Sequence, residues 1–112
     1  MSKNPKLIKI KRSGAPPWWF APEWAKYLAM NKSGLWVWYE SKPTRKRSAW
    51  NRRGGKEQST TFYAPKAISA FWHKSMQKVL NYGAKTGTKE VLKRHWAYIR
   101  GEIDINGNKT RT

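Results

Sequence analysis

The run Leu35-Trp36-Val37-Trp38-Tyr39-Glu40, set between Gly34 and Pro43, limits the fold more than any other part of the chain. It is too short for a helix between those two breakers, and its residues are mostly strong β-formers. Successive side chains of a strand point to opposite faces. Trp36 and Trp38 therefore share one face, while Leu35, Val37 and Tyr39 share the other. A strand that is apolar on both faces needs cover on both, so this one belongs in the middle of a sheet.

The neighbouring segments supply partners for it. Pro22-Glu23 reads as the start of a short helix, because proline suits a first helical turn and glutamate suits the positive end of the helix dipole. Trp24, Tyr27 and Leu28 then fall at helical spacing, and Asn31-Lys32-Ser33-Gly34 is a turn. Thr60-Thr61-Phe62-Tyr63 and a short piece around Ser48 to Asn51 read as strands, joined to the central one through a long basic loop. The segment Lys6 to Arg12, with Ile8 and Ile10 alternating with Lys9 and Lys11, has an edge-strand pattern.

In the second half, Pro65 opens a stretch in which Ile68, Phe71, Trp72, Met76, Val79 and Leu80 form an apolar stripe, predicting a helix over 65–82. Thr88 can cap a further helix over 88–100, with Val91, Leu92, His95, Trp96 and Ile99 on its apolar face. Glu102 to Ile105 reads as a short strand and Asn106-Gly107 as a turn. The expected fold is α+β: a small antiparallel sheet packed with a short helix and a C-terminal helical hairpin. One hundred and twelve residues suit a single small domain, here 1–112, with a basic arm over 1–17 and a frayed tail over 106–112.

Charge constrains the partner. Twenty-four Lys and Arg face six Asp and Glu, for a net charge of +18, and the isoelectric point is near 10.6. Self-repulsion at that density favours an anionic partner, nucleic acid first. A mean hydropathy of −0.90 would suit a disordered chain, but 14% aromatic residues, including eight Trp, favour a fold built around a few large rings. The absence of cysteine excludes a disulfide framework and any thiolate metal site. No apolar run approaches the ~20 residues that cross a bilayer, and Met1 to Lys6 lacks the apolar core of a secretory signal. A cytoplasmic protein is expected, with no cofactor, no metal and no membrane contact.

Binding to single-stranded nucleic acid takes cations along the backbone and rings on which bases stack. Arg45-Lys46-Arg47-Ser48-Ala49-Trp50-Asn51-Arg52-Arg53 supplies both. The candidate nucleic-acid surface is therefore Lys42, Arg45, Lys46, Arg47, Trp50, Arg52, Arg53 and Lys56, together with Lys9, Lys11 and Arg12 of the arm. Trp50 has a second reading, as a core ring packed against Trp36 or Trp38. The triple Trp18-Trp19-Phe20, behind two prolines, reads either as cover for a shallow core or as an anchor for a partner protein, since Trp dominates binding hot spots. A helix-turn-helix over 65–100 would turn Lys89, Glu90, Lys93 and Arg94 toward a groove, a pattern that any helical hairpin gives. A small metal-independent ribonuclease would draw on His73, His95, Arg94 and Tyr98. His95, on an apolar stripe, reads more simply as a core residue.

Residues 21–29, Ala-Pro-Glu-Trp-Ala-Lys-Tyr-Leu-Ala, followed by Gly34-Leu35-Trp36-Val37-Trp38-Tyr39-Glu40 and Pro43, resemble a segment of small uncharacterised bacteriophage proteins. There an APEWA helix likewise leads through a glycine turn into a tryptophan-rich strand. The resemblance covers residues 18 to 50 and carries over no catalytic residue. It implies a protein acting on phage nucleic acid or on host machinery. The expectation is a non-enzymatic protein that binds nucleic acid largely without regard to sequence. The rival is a host-takeover modulator that docks on and inhibits a host nucleic-acid-processing protein, such as a nuclease, polymerase or defence complex, with Trp18, Trp19 and Phe20 as the anchor.

Overall fold

The computed structural model describes residues 14–47, 49–79 and 87–110. The arm strand over Lys6 to Arg12 lies outside the described residues. A 3-10 turn, Trp18–Phe20, precedes strands β1 (Tyr27–Met30), β2 (Leu35–Tyr39), β3 (Thr44–Arg45), β4 (Trp50–Asn51) and β5 (Glu57–Tyr63). Helix α1 (Lys66–Ser69), a second 3-10 turn (Trp72–Lys74), strand β6 (Gln77–Lys78) and helix α2 (Thr88–Ile99) follow. A four-stranded antiparallel sheet runs in the order β5-β2-β1-β6, and β3 pairs with β4 in a separate two-stranded ribbon. The fold is α+β.

The tryptophan strand is interior to the sheet, as its two apolar faces require. Trp36 and Trp38 enter the main core with Phe20, Leu28, Met30, Phe62 and Trp72. Val37 and Tyr39 pack with Ala29 on the opposite face, where Tyr27, Leu35 and Met76 give partial cover. Burial and, secondarily, the nearby Glu57 carboxylate push the Tyr39 phenol up to about 12. Gly34 closes the β1–β2 turn at φ +94°, a conformation in which an added Cβ would sit 3.0 Å from the Ala64 carbonyl oxygen. A residue with a side chain is strained there.

Two expected helices are corrected. The segment beginning at Pro22 is a single turn, with the Ala25 N–H donating to the Pro22 carbonyl at 3.0 Å, and Tyr27 to Met30 then pair with β2 instead of continuing a helix. A helix of so few residues repays its nucleation poorly, whereas β2 offers a ladder from Tyr27↔Tyr39 to Met30↔Trp36.

The expected C-terminal helical hairpin is likewise absent from the described residues: the 65–82 segment yields only the one-turn α1, the 3-10 turn and β6. The cause is the outer edge of β1, whose backbone groups need partners. The Ser75 hydroxyl accepts from the Met30 N–H at 2.8 Å, Gln77 and Lys78 pair with Leu28 and Tyr27, and the Val79 N–H donates to the Lys26 carbonyl at 2.8 Å. Residues that would have formed one side of a helix instead close the sheet.

The helix expected over 88–100 forms, but its inward face is rotated. Val91 and His95 are buried, while Leu92, Trp96 and Ile99 are exposed. The short strand expected at Glu102 to Ile105 reduces to a single bridge, Ile103↔Lys109. The Asn106-Gly107 turn is present, with the Asp104 carboxylate accepting from the Asn106 and Asn108 N–H groups at 2.9 and 3.0 Å.

Candidate nucleic-acid interface

The connection from β2 to β5 is a basic excursion folded on itself. Thr44 pairs with Asn51 and Arg45 with Trp50, and the Lys46 N–H donates to the Ala49 carbonyl at 2.8 Å. Lys42, Arg45, Lys46, Arg47, Arg52, Arg53 and Lys56 are all exposed on it. Among the described residues the one ion pair is Arg100 with Glu102, so the excursion's cations are not neutralised by carboxylates there. Only its base is acidic: the Glu40 carboxylate accepts from the Lys56 backbone N–H at 2.9 Å. The Arg52 guanidinium bonds the Gly55 carbonyl at 2.7 Å and remains exposed.

Trp50 is built into the protein rather than held out from it. Its ring packs against both core clusters and meets Trp72 edge-on with centroids 6.3 Å apart. Its indole N–H points to the Met30 and Trp72 carbonyls at 3.1 and 3.3 Å. The Asn31 side-chain carbonyl accepts from its backbone N–H at 3.2 Å. Of the two readings given to Trp50, this geometry fits the packed ring, although its core neighbour is Trp72 as well as the β2 face. Lys9, Lys11 and Arg12 lie outside the described residues.

The aromatic triple is divided. Phe20 is wholly buried, Trp19 is half-buried and Trp18 is 48% exposed. Phe20 meets Phe62 at 5.0 Å and His95 at 4.6 Å, so it serves the core and has no surface to offer a partner. Among the three, Trp18 is the most exposed.

The groups considered for ribonuclease chemistry do not share one open surface. His95 is 1% exposed, edge-on to Phe20 and Phe62. Burial and then the Arg94 charge lower its imidazole to about 4. Its Nε2 finds no partner among the described residues. His73 sits in the Trp72–Lys74 turn, edge-on to Trp72, and Tyr98 stacks on Phe62 at 5.3 Å. Among the described residues the helix-turn-helix arrangement lacks its first helix. Lys89, Glu90 and Lys93 of α2 are exposed, and Arg94 is engaged by the Trp19 carbonyl and ring.

Sequence reasoning missed one part of the surface. Trp96, read as a core residue, is 55% exposed. Helix α2 carries two adjacent apolar rows, Val91-His95-Tyr98 and Leu92-Trp96-Ile99, each at i, i+4, i+7 spacing. Periodicity does not choose between them. The usable signal is flanking charge, since Lys89, Lys93 and Arg100 border the second row. Among the described residues no cluster of three metal-ligating side chains occurs, and no helix is long and apolar enough to cross a membrane. Compared with known protein families, curated proteins and solved structures, the chain shows no significant match.

Proposed function

We propose that this chain is a non-enzymatic protein that binds nucleic acid through its phosphate backbone, largely without regard to sequence, in the cytoplasm of a phage-infected host. The observation that carries the reading is the excursion between β2 and β5. Its cations are exposed and, among the described residues, not ion-paired, and they lie on and beside a short paired ribbon whose Trp50 is anchored in the protein. Phosphate contacts of this kind supply affinity and register but no base discrimination. The cytoplasmic setting and the phage origin rest on the sequence: the lack of cysteine in these 112 residues, and the resemblance over residues 18 to 50.

A salt series tests it. Neutralising about six phosphates of a duplex gives a slope of log K against log salt near −5. Replacing Arg45, Lys46, Arg47, Arg52 and Arg53 with Ala together should flatten that slope by about 4. Binding that vanishes by physiological salt in the wild type, or a slope unchanged in the five-fold variant, overturns the proposal. In the first case the host-takeover reading takes its place.

A further inference from the structure

A concave surface lies where α2 meets the 101–110 turn. It is an open groove of about 940 Å³, lined among others by Trp19, Lys93, Trp96, Arg100, Gly107 and Lys109. Its walls are fixed. Gly107, at φ +86°, lies so close to the Trp19 ring that an added Cβ would sit 3.0 Å from it. The Arg94 guanidinium stands over the same Trp19 ring, 5.6 Å from its centroid, and donates to the Trp19 carbonyl. Asp104 holds the turn through two backbone N–H groups, and the Thr110 hydroxyl donates to the Gly101 carbonyl.

Charge and aromatic surface alternate along this groove. Lys93 and Trp96 on α2 and Arg100, its C-cap, stand at i, i+3 and i+7, so they form one row. Glu90 and Glu102 also line the groove, against Lys93, Arg94, Arg100 and Lys109. Arg100 already neutralises Glu102 through two bonds, at 2.7 and 3.0 Å. Lys93 and Lys109 are exposed and unpaired among the described residues. A purely apolar partner would leave these ammonium groups desolvated without compensation. An anionic ligand with a flat ring satisfies both halves of the surface.

We propose that this groove takes one nucleotide unit of a single strand, its base against Trp96 and its phosphate beside Lys93 and Lys109. The inference rests on the reading of the chain as a nucleic-acid binder and adds a second contact, remote in sequence from the basic excursion. It also adds a preference, because a base can stack on a protein ring only when it is free of its own helix. The excursion grips any phosphate backbone, whereas the groove favours single strands.

The test measures binding of a labelled oligothymidylate, and of a duplex of the same length, across a salt series for the full chain, three groove variants and the five-fold excursion variant. Trp96→Ala should weaken binding to the single strand about 5- to 150-fold, the worth of one stacked base, with duplex binding unchanged. Trp96→Phe should restore most of that loss. Lys93→Ala with Lys109→Ala should make the single-strand salt slope shallower by about 1. A thermal melt of each variant checks folding, and the double lysine variant, altered only at exposed positions, keeps the test open if Trp96→Ala is unstable. Wild-type binding that Trp96→Ala lowers equally for both substrates, or not at all, overturns the groove and leaves the excursion standing. Displacement of the single strand from the wild type and from Trp96→Ala by polyglutamate at equal concentration also overturns it, since the groove would then read charge alone. Loss on Trp96→Ala with no effect of the excursion variant keeps the groove and removes the excursion. No binding by the wild type removes both.

Discussion

His95 offers a sharp test of how the core is held. The ring is 1% exposed, packed edge-on to Phe20 at 4.6 Å and to Phe62 at 6.0 Å. Burial, with the Arg94 charge adding to it, lowers its protonation from 6.5 to about 4 in the folded chain. In the unfolded chain the imidazole titrates near 6.5. Between pH 6.5 and 4 the unfolded state therefore binds more protons than the folded one, and stability falls as pH falls through that window. Each unit of difference is worth about 1.4 kcal/mol, so the loss between pH 7 and pH 4 is about 3 kcal/mol. It levels off below pH 4, where both states are protonated.

His95→Leu removes the titration, keeps the volume and eliminates the unpartnered Nε2. The measurement is a set of thermal melts of wild type and variant at matched pH values, followed by near-ultraviolet circular dichroism of the tryptophans. Carboxylate protonation and the growing net charge act on both proteins alike. The difference between the two curves therefore isolates His95. For a domain of this size, about 3 kcal/mol moves the midpoint by on the order of 10–20 °C. The wild type should lose that much more than His95→Leu between pH 7 and pH 4. Parallel curves through the window would refute the reasoning, because they would mean that the imidazole protonates in place without cost.

Two further substitutions probe the packing of the site. Trp50→Phe should cost about 1 kcal/mol in urea unfolding, a modest loss because the Met30 and Trp72 carbonyls that accept its indole N–H also accept from the Ser75 hydroxyl. A loss of the size typical of a large core truncation, about 3–5 kcal/mol, would mean that the ring is needed for its shape and not for its bond. Gly34→Ala should cost about 2 kcal/mol or more, because φ is +94° and the new Cβ would press on Ala64; an unchanged midpoint would show that the β1–β2 turn can take another form.

What the sequence made legible, and what it hid, follow from where the hydrogen bonds go. The tryptophan strand was readable because both of its faces are apolar and Gly34 and Pro43 bound it. The basic excursion was readable from composition but its ribbon was not: the strand expected around Ser48 to Asn51 as a partner of the central one pairs instead with Thr44–Arg45, inside the excursion. The helix over 88–100 was readable from cap and period, but not its rotation, since two apolar rows lie side by side. The segments at 22–29 and 65–82 were misread for one shared reason. Trp24, Tyr27 and Leu28, like Ile68, Phe71 and Trp72, meet the spacing of a helix, yet β1 is needed beside β2 and β6 is needed beside β1. That demand comes from chain far away in sequence and overrides local period. Trp50 was ambiguous because it sits in a run rich in cations with no apolar periodicity around it, while its actual partners, Met30 and Trp72, lie about twenty positions away on either side.

The anchoring of Trp50 has a consequence for the energetics of association. A long arginine-rich connection that hung freely would lose conformational freedom on meeting its ligand, and that loss would be subtracted from every phosphate contact. Here the ribbon's backbone is already paired, and its one large ring is already seated between β1 and the Trp72–Lys74 turn. Folding has met the ordering cost of that ribbon in advance. Where Arg45 and Lys46 meet a phosphate chain, chiefly their side chains are left to settle.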